Sequence, residues 1–258
     1  MIIDVSAFIG HYPYRALPET SAAFLLGEMD RVGIDEALVG HLPAFLYRDP
    51  TQGTAQFLAG MESRDRRLHP IPTVHPGLPA WQNDVAEARE QGAKAIRVYP
   101  MHQTLPPAGD AMQALVATAA DAGLVVVLTV RFEDVRQRHP LDSVGDLPPS
   151  AVRSLARAGP GVRLVVTHAG REFIEEVHYG LTSEEARRVL WDVSWVWGPP
   201  SHDLNHLVRT MGAERFVFGS GMPLRIPDAT IAKLDLSEVS DEERRLIESD
   251  NIAGWLEP

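Results

Sequence analysis

Val162-Arg163-Leu164-Val165-Val166-Thr167-His168-Ala169-Gly170 is an apolar, β-branched run that halts at a histidine and a glycine. That is the pattern of a strand buried on both faces. Alternation puts Leu164, Val166 and His168 on one side, with the histidine at the carboxyl end. In α/β barrels and open α/β sheets that end carries the chemistry. A lone histidine there can equally cap a loop by hydrogen bonding a backbone carbonyl, so the rest of the chain has to weigh in.

Working outward, strand-like and helical runs alternate from end to end. Strands are expected over Met1–Ile9, Ile34–Gly40, Leu68–Val74, Ala93–Tyr99, Leu124–Val130, Val162–His168, Leu190–Val196 and Phe216–Ser220. Helices are expected over Glu19–Val32, Thr51–Arg64, Pro79–Gln91, Asp110–Ala122, Pro148–Ala158, an interrupted Phe173–Val189, Ser201–Met211 and a closing Asp241–Ile252. One punctuation recurs at Gly33, Gly92, Gly123, Gly159 and Gly212: a helical face ends at a glycine and an apolar strand begins. The spacings are one or two units of roughly 30 residues, the length of a βα unit. Eight such units without a change of composition predict an α/β chain, one TIM-type (β/α)8 barrel forming a single domain over residues 1–258. A doubly wound open sheet is the alternative, but no glycine-rich nucleotide loop follows the first strand.

The chain has 258 residues, 45% of them hydrophobic and 23% charged, with a net charge of −11 and no cysteine. That length suits one α/β barrel. The acidic balance without a Lys/Arg cluster argues against nucleic-acid partners and anionic membranes. No apolar run approaches the roughly 20 residues that cross a bilayer. Met1-Ile2-Ile3-Asp4 lacks a basic leader, and the expected location is cytoplasmic. Without cysteine there is no disulfide, thiolate metal site or thiol nucleophile.

A barrel would gather its strand ends on one rim: Ser6, Phe8 and His11; His41; His75; Arg97 and Tyr99; Thr129 and Arg131; His168 and Arg171; Asp192 and Ser194; Ser220 and Met222. Histidines and arginines converging there suit a small anionic molecule, because guanidinium forks match carboxylates. Each has a plainer role as well. Arg97 could pair with an acid across the rim, Arg131 opens a charge-alternating loop, and His41 and His75 sit beside loops they could cap. Tyr12 and Tyr14 would line a mouth or cover the barrel end, and Trp191, Trp195 and Trp197 would pack on helices or wall a pocket.

These strand ends resemble the amidohydrolase superfamily, in its amidohydrolase-related branch, which includes aminocarboxymuconate-semialdehyde decarboxylase. Ile3-Asp4-Val5-Ser6-Ala7-Phe8-Ile9-Gly10 is similar to the family's I-D-x-H-x-H-x-G strand one, and Gly92–Pro100 to its strand four. Val165–Gly170 is similar to strand six, Phe218-Gly219-Ser220-Gly221-Met222-Pro223 to the F-G-[ST]-D-x-P of strand eight, and Asn251-Ile252-Ala253 to its closing helix. The resemblance implies divalent ions held by two strand-one histidines, a strand-five histidine and a strand-eight aspartate. The matching positions here are Ser6, Phe8, Thr129 and Gly221, and only His168 keeps a family histidine. Phenylalanine and glycine side chains offer no lone pair, and hydroxyls are poor ligands beside imidazole and carboxylate.

Three readings follow. In the first, the protein is a hydrolase or lyase acting without the usual metal on a small carboxylated molecule. His168 is then the general acid/base, and Arg131, Arg97, His11, Tyr99 and Arg171 bind the substrate. In the second, a rearranged metal site uses His11, His41, His75 or His168 with Asp192. In the third, the barrel is a catalytically inactive relative that binds a small ligand or serves in assembly. A shielded Arg–His pocket favours the first reading, and a rim plugged by Phe8 and Met222 favours the third. No cofactor is expected outside the second reading. The expected partner is an anionic small molecule, and a homodimer is the expected assembly from how common that form is.

Overall fold

The computed structural model describes residues 1–61, 65–199 and 201–256. Eight parallel strands run in chain order: β1 (Ile3–Ile9), β2 (Glu36–His41), β3 (Leu68–Pro70), β4 (Ala95–Val98), β5 (Val125–Thr129), β6 (Leu164–Thr167), β7 (Val189–Asp192) and β8 (Phe216–Val217). Regular pairing gives two sheets, β1-β2-β3 and β4-β5-β6-β7-β8. A few backbone bonds join them at each gap. Arg97 N–H donates to the Pro72 carbonyl (2.8 Å) and Val74 N–H to the Arg97 carbonyl (2.9 Å), joining β3 to β4. On the other side Val5 N–H donates to the Phe218 carbonyl (3.0 Å) and joins β1 to β8. The result is the expected TIM-type barrel.

Strand alternation divides the apolar residues as a barrel requires. Val39, Ile96, Val126, Leu128, Val166 and Phe216 face the helices, packing in one cluster with Leu25, Met29, Leu115, Val152 and Leu207. Val5, Leu38, Ile71, Val127, Val165, Leu190 and Val217 fill the barrel interior together with Ile252, so the C-terminal helix Asn251–Leu256 closes the amino-terminal end. A register irregularity between Asp4 and Ala7 in β1 changes the alternation. Val5 therefore fills the interior while Phe8, three residues on, joins an aromatic cluster at the other end.

Most expected elements form, with shorter ends. Ser21 caps Ala22–Val32 through its side chain, and Gly33 ends that helix at φ 79°. The interrupted 173–189 region resolves into Arg171–His178 and Ser183–Ala186, the second opened by a Thr182/Glu185 capping box. The helix expected over 51–64 is Pro50–Gly60, and residues 62–64 lie outside the described residues. The closing helix begins at Asp241 and continues to Leu256 through a π turn at Leu246–Asp250. At that turn the Ile247 carbonyl accepts from Phe218 N–H (2.7 Å). One helix was not anticipated, Asp228–Asp235, whose interior contacts are made by Thr230 and Leu234 one turn apart. Among the described residues no helix is long and apolar enough to cross a membrane.

Ile252 is fully buried as the apolar stopper of the barrel floor. Ile252→Ala is expected to cost about 2–5 kcal/mol of unfolding free energy by urea titration, the range for emptying a buried aliphatic site.

Candidate active site

Above the apolar floor the barrel interior turns polar. Asp4 is fully buried and accepts from Ser220 Oγ (2.5 Å), Ser220 N–H (3.0 Å) and Ser6 N–H (2.9 Å). Burial pushes its carboxyl up to about 6 against those bonds. Ser6 Oγ accepts from Gly221 N–H (3.0 Å), which fixes the loop after β8 to β1. Asp192 at the end of β7 accepts from Ser194 N–H through Oδ1, while its buried Oδ2 has no hydrogen-bond partner. Thr129 and Thr167 share a bond of 3.1 Å across β5 and β6.

His168 corrects the expected parity. Leu164 and Val166 belong to the helix-facing cluster, and β6 ends at Thr167. His168 itself lies in the left-handed region at φ 61°, which turns its ring away from that face and over the barrel mouth. There it packs against Phe8 (6.1 Å between ring centroids) and Trp195 (5.8 Å). Its Nδ1 is 2.8 Å from the Arg131 carbonyl, so Nδ1 carries the proton and Nε2 the lone pair. Nε2 is buried without a partner. Burial first, then Arg225 and Arg97, push this imidazole down to about 4 against the pull of Asp192 and its own bond to Arg131.

Arg97 projects inward from β4 and is fully buried. Its guanidinium carbon lies 4.4 Å from the Phe8 ring centroid, and Nη1 donates weakly to Thr129 Oγ1 (3.4 Å). Nε and Nη2 make no hydrogen bond of regular geometry, and the Tyr99 hydroxyl lies within the guanidinium's reach: burial raises its pKa against the Arg97 charge and a hydrogen bond from it. Phe8, Tyr12, Phe45, Tyr99, Phe132 and Leu224 pack together over this end, with Phe45 and Phe132 rings 4.5 Å apart. Tyr12 therefore covers the barrel end.

Beside this aromatic plug, over the ends of β6–β8, a cavity of about 820 Å3 opens to solvent. Arg131, Arg171, Ser194, Trp195, Arg225 and Lys233 are among its walls. Trp195 has the Arg225 guanidinium 3.8 Å above its ring and that of Arg131 at 5.6 Å. A Cβ placed on Gly221 would stand 3.2 Å from Arg225 Cδ and 3.5 Å from His168 Nε2. The Arg225 stem is thus next to His168 on the cavity side. No ion pair to Arg225 occurs among the described residues. Lys233 Nζ donates to the Val193 (2.5 Å) and Ser194 (3.2 Å) carbonyls, and burial pushes it down to about 8.

The structure brings together His168, Arg97, Tyr99 and Arg131, but not the other candidates. Arg131 is paired with Asp146 (2.9 Å). Arg171 borders the cavity paired with Glu175 (3.1 Å) and Asp203 (3.2 Å). His11 is exposed in the loop after β1. His41 stacks on Phe57 at 5.6 Å, facing the helix Pro50–Gly60, and burial pushes it down to about 4. His75 Nδ1 accepts from Gly77 N–H (3.2 Å), the loop-capping role. Trp191 is buried against Phe173, while Trp195 and Trp197 border the cavity. Sequence reasoning missed Arg225 and Lys233. Arg225 closely follows Met222-Pro223, and the Thr230/Leu234 spacing was the one signal for the helix that carries Lys233.

The amidohydrolase family profile matches residues 46–256. No curated protein matches the chain by sequence. Among solved structures, it superposes on 5-carboxyvanillate decarboxylase from Sphingomonas paucimobilis with a TM-score of 0.76 and 13% identity, covering 99% of this chain and 98% of that one. A dihydroxybenzoic acid decarboxylase from a Polaromonas species, with bound manganese and the inhibitor 2-nitroresorcinol, gives 0.73 and 13% over 99% and 96%. A probable 2-pyrone-4,6-dicarboxylic acid hydrolase from Acinetobacter baumannii, with citric acid bound, gives 0.70 and 15% over 99% and 98%. At these identities the likeness is one of fold.

The four positions that match the family's metal ligands do not supply its donor set. Ser6 Oγ is committed to Gly221 N–H, Phe8 has no donor atom, and Thr129 accepts from a guanidinium. Gly221 holds a left-handed backbone at φ 73° with the Arg225 stem against it. His11, His41 and His75 point into different surroundings, and no group of three potential ligands forms among the described residues.

Two buried histidines set an acid limit on stability. Each is neutral when folded, to about pH 4, but titrates near 6.5 when unfolded, so the unfolded state binds more protons between these values. Their stabilisation is complete above pH 6.5 and is lost as pH falls towards 4. Asp4, raised from 3.8 to about 6, opposes this: its contribution is lost as pH rises through 6. Stability should fall from pH 7 to pH 5, with His41 contributing about 2 kcal/mol of the fall. Urea titrations of wild type and His41→Gln check this, the variant showing the shallower decline.

Proposed function

The chain belongs to the amidohydrolase family, and on that footing we propose that it acts, without the usual metal, on a small carboxylated molecule held in the cavity over β6–β8. The observation that carries this reading is His168: a neutral imidazole whose unpartnered Nε2 lone pair lies beside the one cavity-wall arginine that no described acid pairs. Arg225 and Arg131, set against Trp195, hold the carboxylate. With an ester or lactone, a water oxygen bonds to the carbonyl carbon while its proton passes to Nε2. The carbonyl electron pair moves onto oxygen, where a guanidinium stabilises it. The oxyanion pair then returns to re-form the carbonyl, the bond to the ester oxygen breaks, and the protonated imidazole gives its proton to the leaving alkoxide. Reaching Nε2 requires the Arg225 stem to move aside, and a carboxylate bound by its guanidinium supplies the force. A decarboxylation would use the imidazolium as proton donor instead, a state that burial disfavours at neutral pH.

A second reading rests on a different observation. His168 and Arg97 are both fully buried, and the aromatic plug covers the barrel mouth. That arrangement suits a family member that binds a small ligand without turning it over.

Screening small carboxylated esters and lactones separates the two. Turnover that disappears in His168→Gln with the circular dichroism unchanged supports the enzyme. Turnover that persists in the variant would falsify it, and saturable binding without any turnover selects the second reading. The rate should be flat from neutrality to about pH 5 and fall through an apparent pKa near 4, because the base is the neutral imidazole. Arg225→Ala should raise KM about tenfold or more with little change in kcat if the arginine is a uniform clamp.

A further inference from the structure

We infer that the barrel interior contains a binding site for a planar oxyanion at Arg97, in the place where the family resemblance would put a metal cation. Arg97 touches two of the four positions matching ligands in the family, Phe8 at 4.4 Å and Thr129 at 3.4 Å. A fixed guanidinium charge there repels a dication and attracts an anion.

The pattern of satisfied and unsatisfied donors identifies the shape of that anion. Nη1 is the nitrogen that Thr129 engages, and Nε and Nη2 are left over. Those two carry the parallel N–H bonds of the side-on fork, the edge that receives two oxygens of one planar group. The Tyr99 hydroxyl, whose oxygen lies within reach of the guanidinium, keeps its own proton as a third buried donor. Arg97 is 0% exposed, and among the described residues no carboxylate comes within ion-pair distance of it. A buried guanidinium left so carries a desolvation cost that a paired anion offsets. The chemistry is that of a carboxylate-like group with two coplanar oxygens, supplied either by a free anion such as formate or nitrate or by the carboxylate of an organic ligand.

The site does not rest on turnover or on Arg225, so its test is separable from the preceding one. Thermal unfolding is followed while sodium formate or sodium nitrate replaces sodium chloride at constant ionic strength, with benzoate as a third series. The expected result is a saturable rise in Tm with formate and nitrate beyond that with chloride. It should be weakened at least tenfold in apparent affinity in Arg97→Lys, which keeps the charge but not the fork. A response to formate and nitrate but not benzoate assigns the site to free anions, and a response to benzoate extends it to organic carboxylates. Equal shifts with all salts, or a formate response unchanged in Arg97→Lys, would overturn the inference. Should Arg97→Lys fail to fold, the wild-type contrast between planar anions and chloride decides alone. In parallel, zinc or manganese bound at one equivalent after dialysis would contradict an anion site at Arg97.

Discussion

Two backbone hydrogen bonds through Arg97 hold the barrel shut between its three-stranded and five-stranded sheets. The same residue puts a positive charge into the interior, beneath Phe8 and beside Thr129. The seam fixes where the guanidinium can stand, because a strand residue at that register has only two faces to choose between. The inward face is otherwise apolar below and hydroxyl-lined at the level of Thr129 and Thr167. The charge therefore sits at the boundary between a hydrophobic floor and a polar layer.

That charge reorganises the end of the barrel where chemistry is done. Threonine, serine, phenylalanine and glycine line the positions that the family resemblance assigns to metal ligands, and Arg97 and Arg225 oppose Asp192 in the field that His168 feels. Both arginines, and above all burial, keep His168 neutral. Its proton is fixed on Nδ1 by the Arg131 carbonyl. The Nε2 lone pair is thereby left free toward the barrel mouth, which is the feature the proposed reading uses.

Access is where the structure is most restrictive. Seven buried aromatic and aliphatic side chains, Leu42 among them, close over the mouth, and the open volume lies to one side, over β6–β8. Arg225 lines that volume, its guanidinium stacked on Trp195 and its stem beside Gly221, where His168 Nε2 also approaches. Lys233 ties the helix behind it to the end of β7 through two carbonyls. The small side chain at Gly221 is what leaves room for the arginine stem, so a carboxylate-bearing residue there would displace it.

The sequence by itself determined the barrel. Period-two apolar runs separated by helical faces, with glycines at Gly33, Gly92, Gly123 and Gly212 all at positive φ, specify βα units through local sterics and burial alone. It also put Arg97, Tyr99, Arg131 and His168 on one rim together with His11 and Arg171, since strand ends of a parallel barrel share a rim, without telling which of them meet. It could not give His168 its direction. Alternation placed the ring with Leu164 and Val166, and only the left-handed turn after Thr167, held by the Arg131 carbonyl, brings it over the mouth. Nor could it find Arg225 or Lys233, which reach the cavity from the loop after β8 and from a short helix with little periodicity. Local pattern encodes which residues are buried and which face they take. Which loop side chains converge, and which donors are left without partners, depends on contacts between segments far apart in the chain, and those exist only once the barrel has closed.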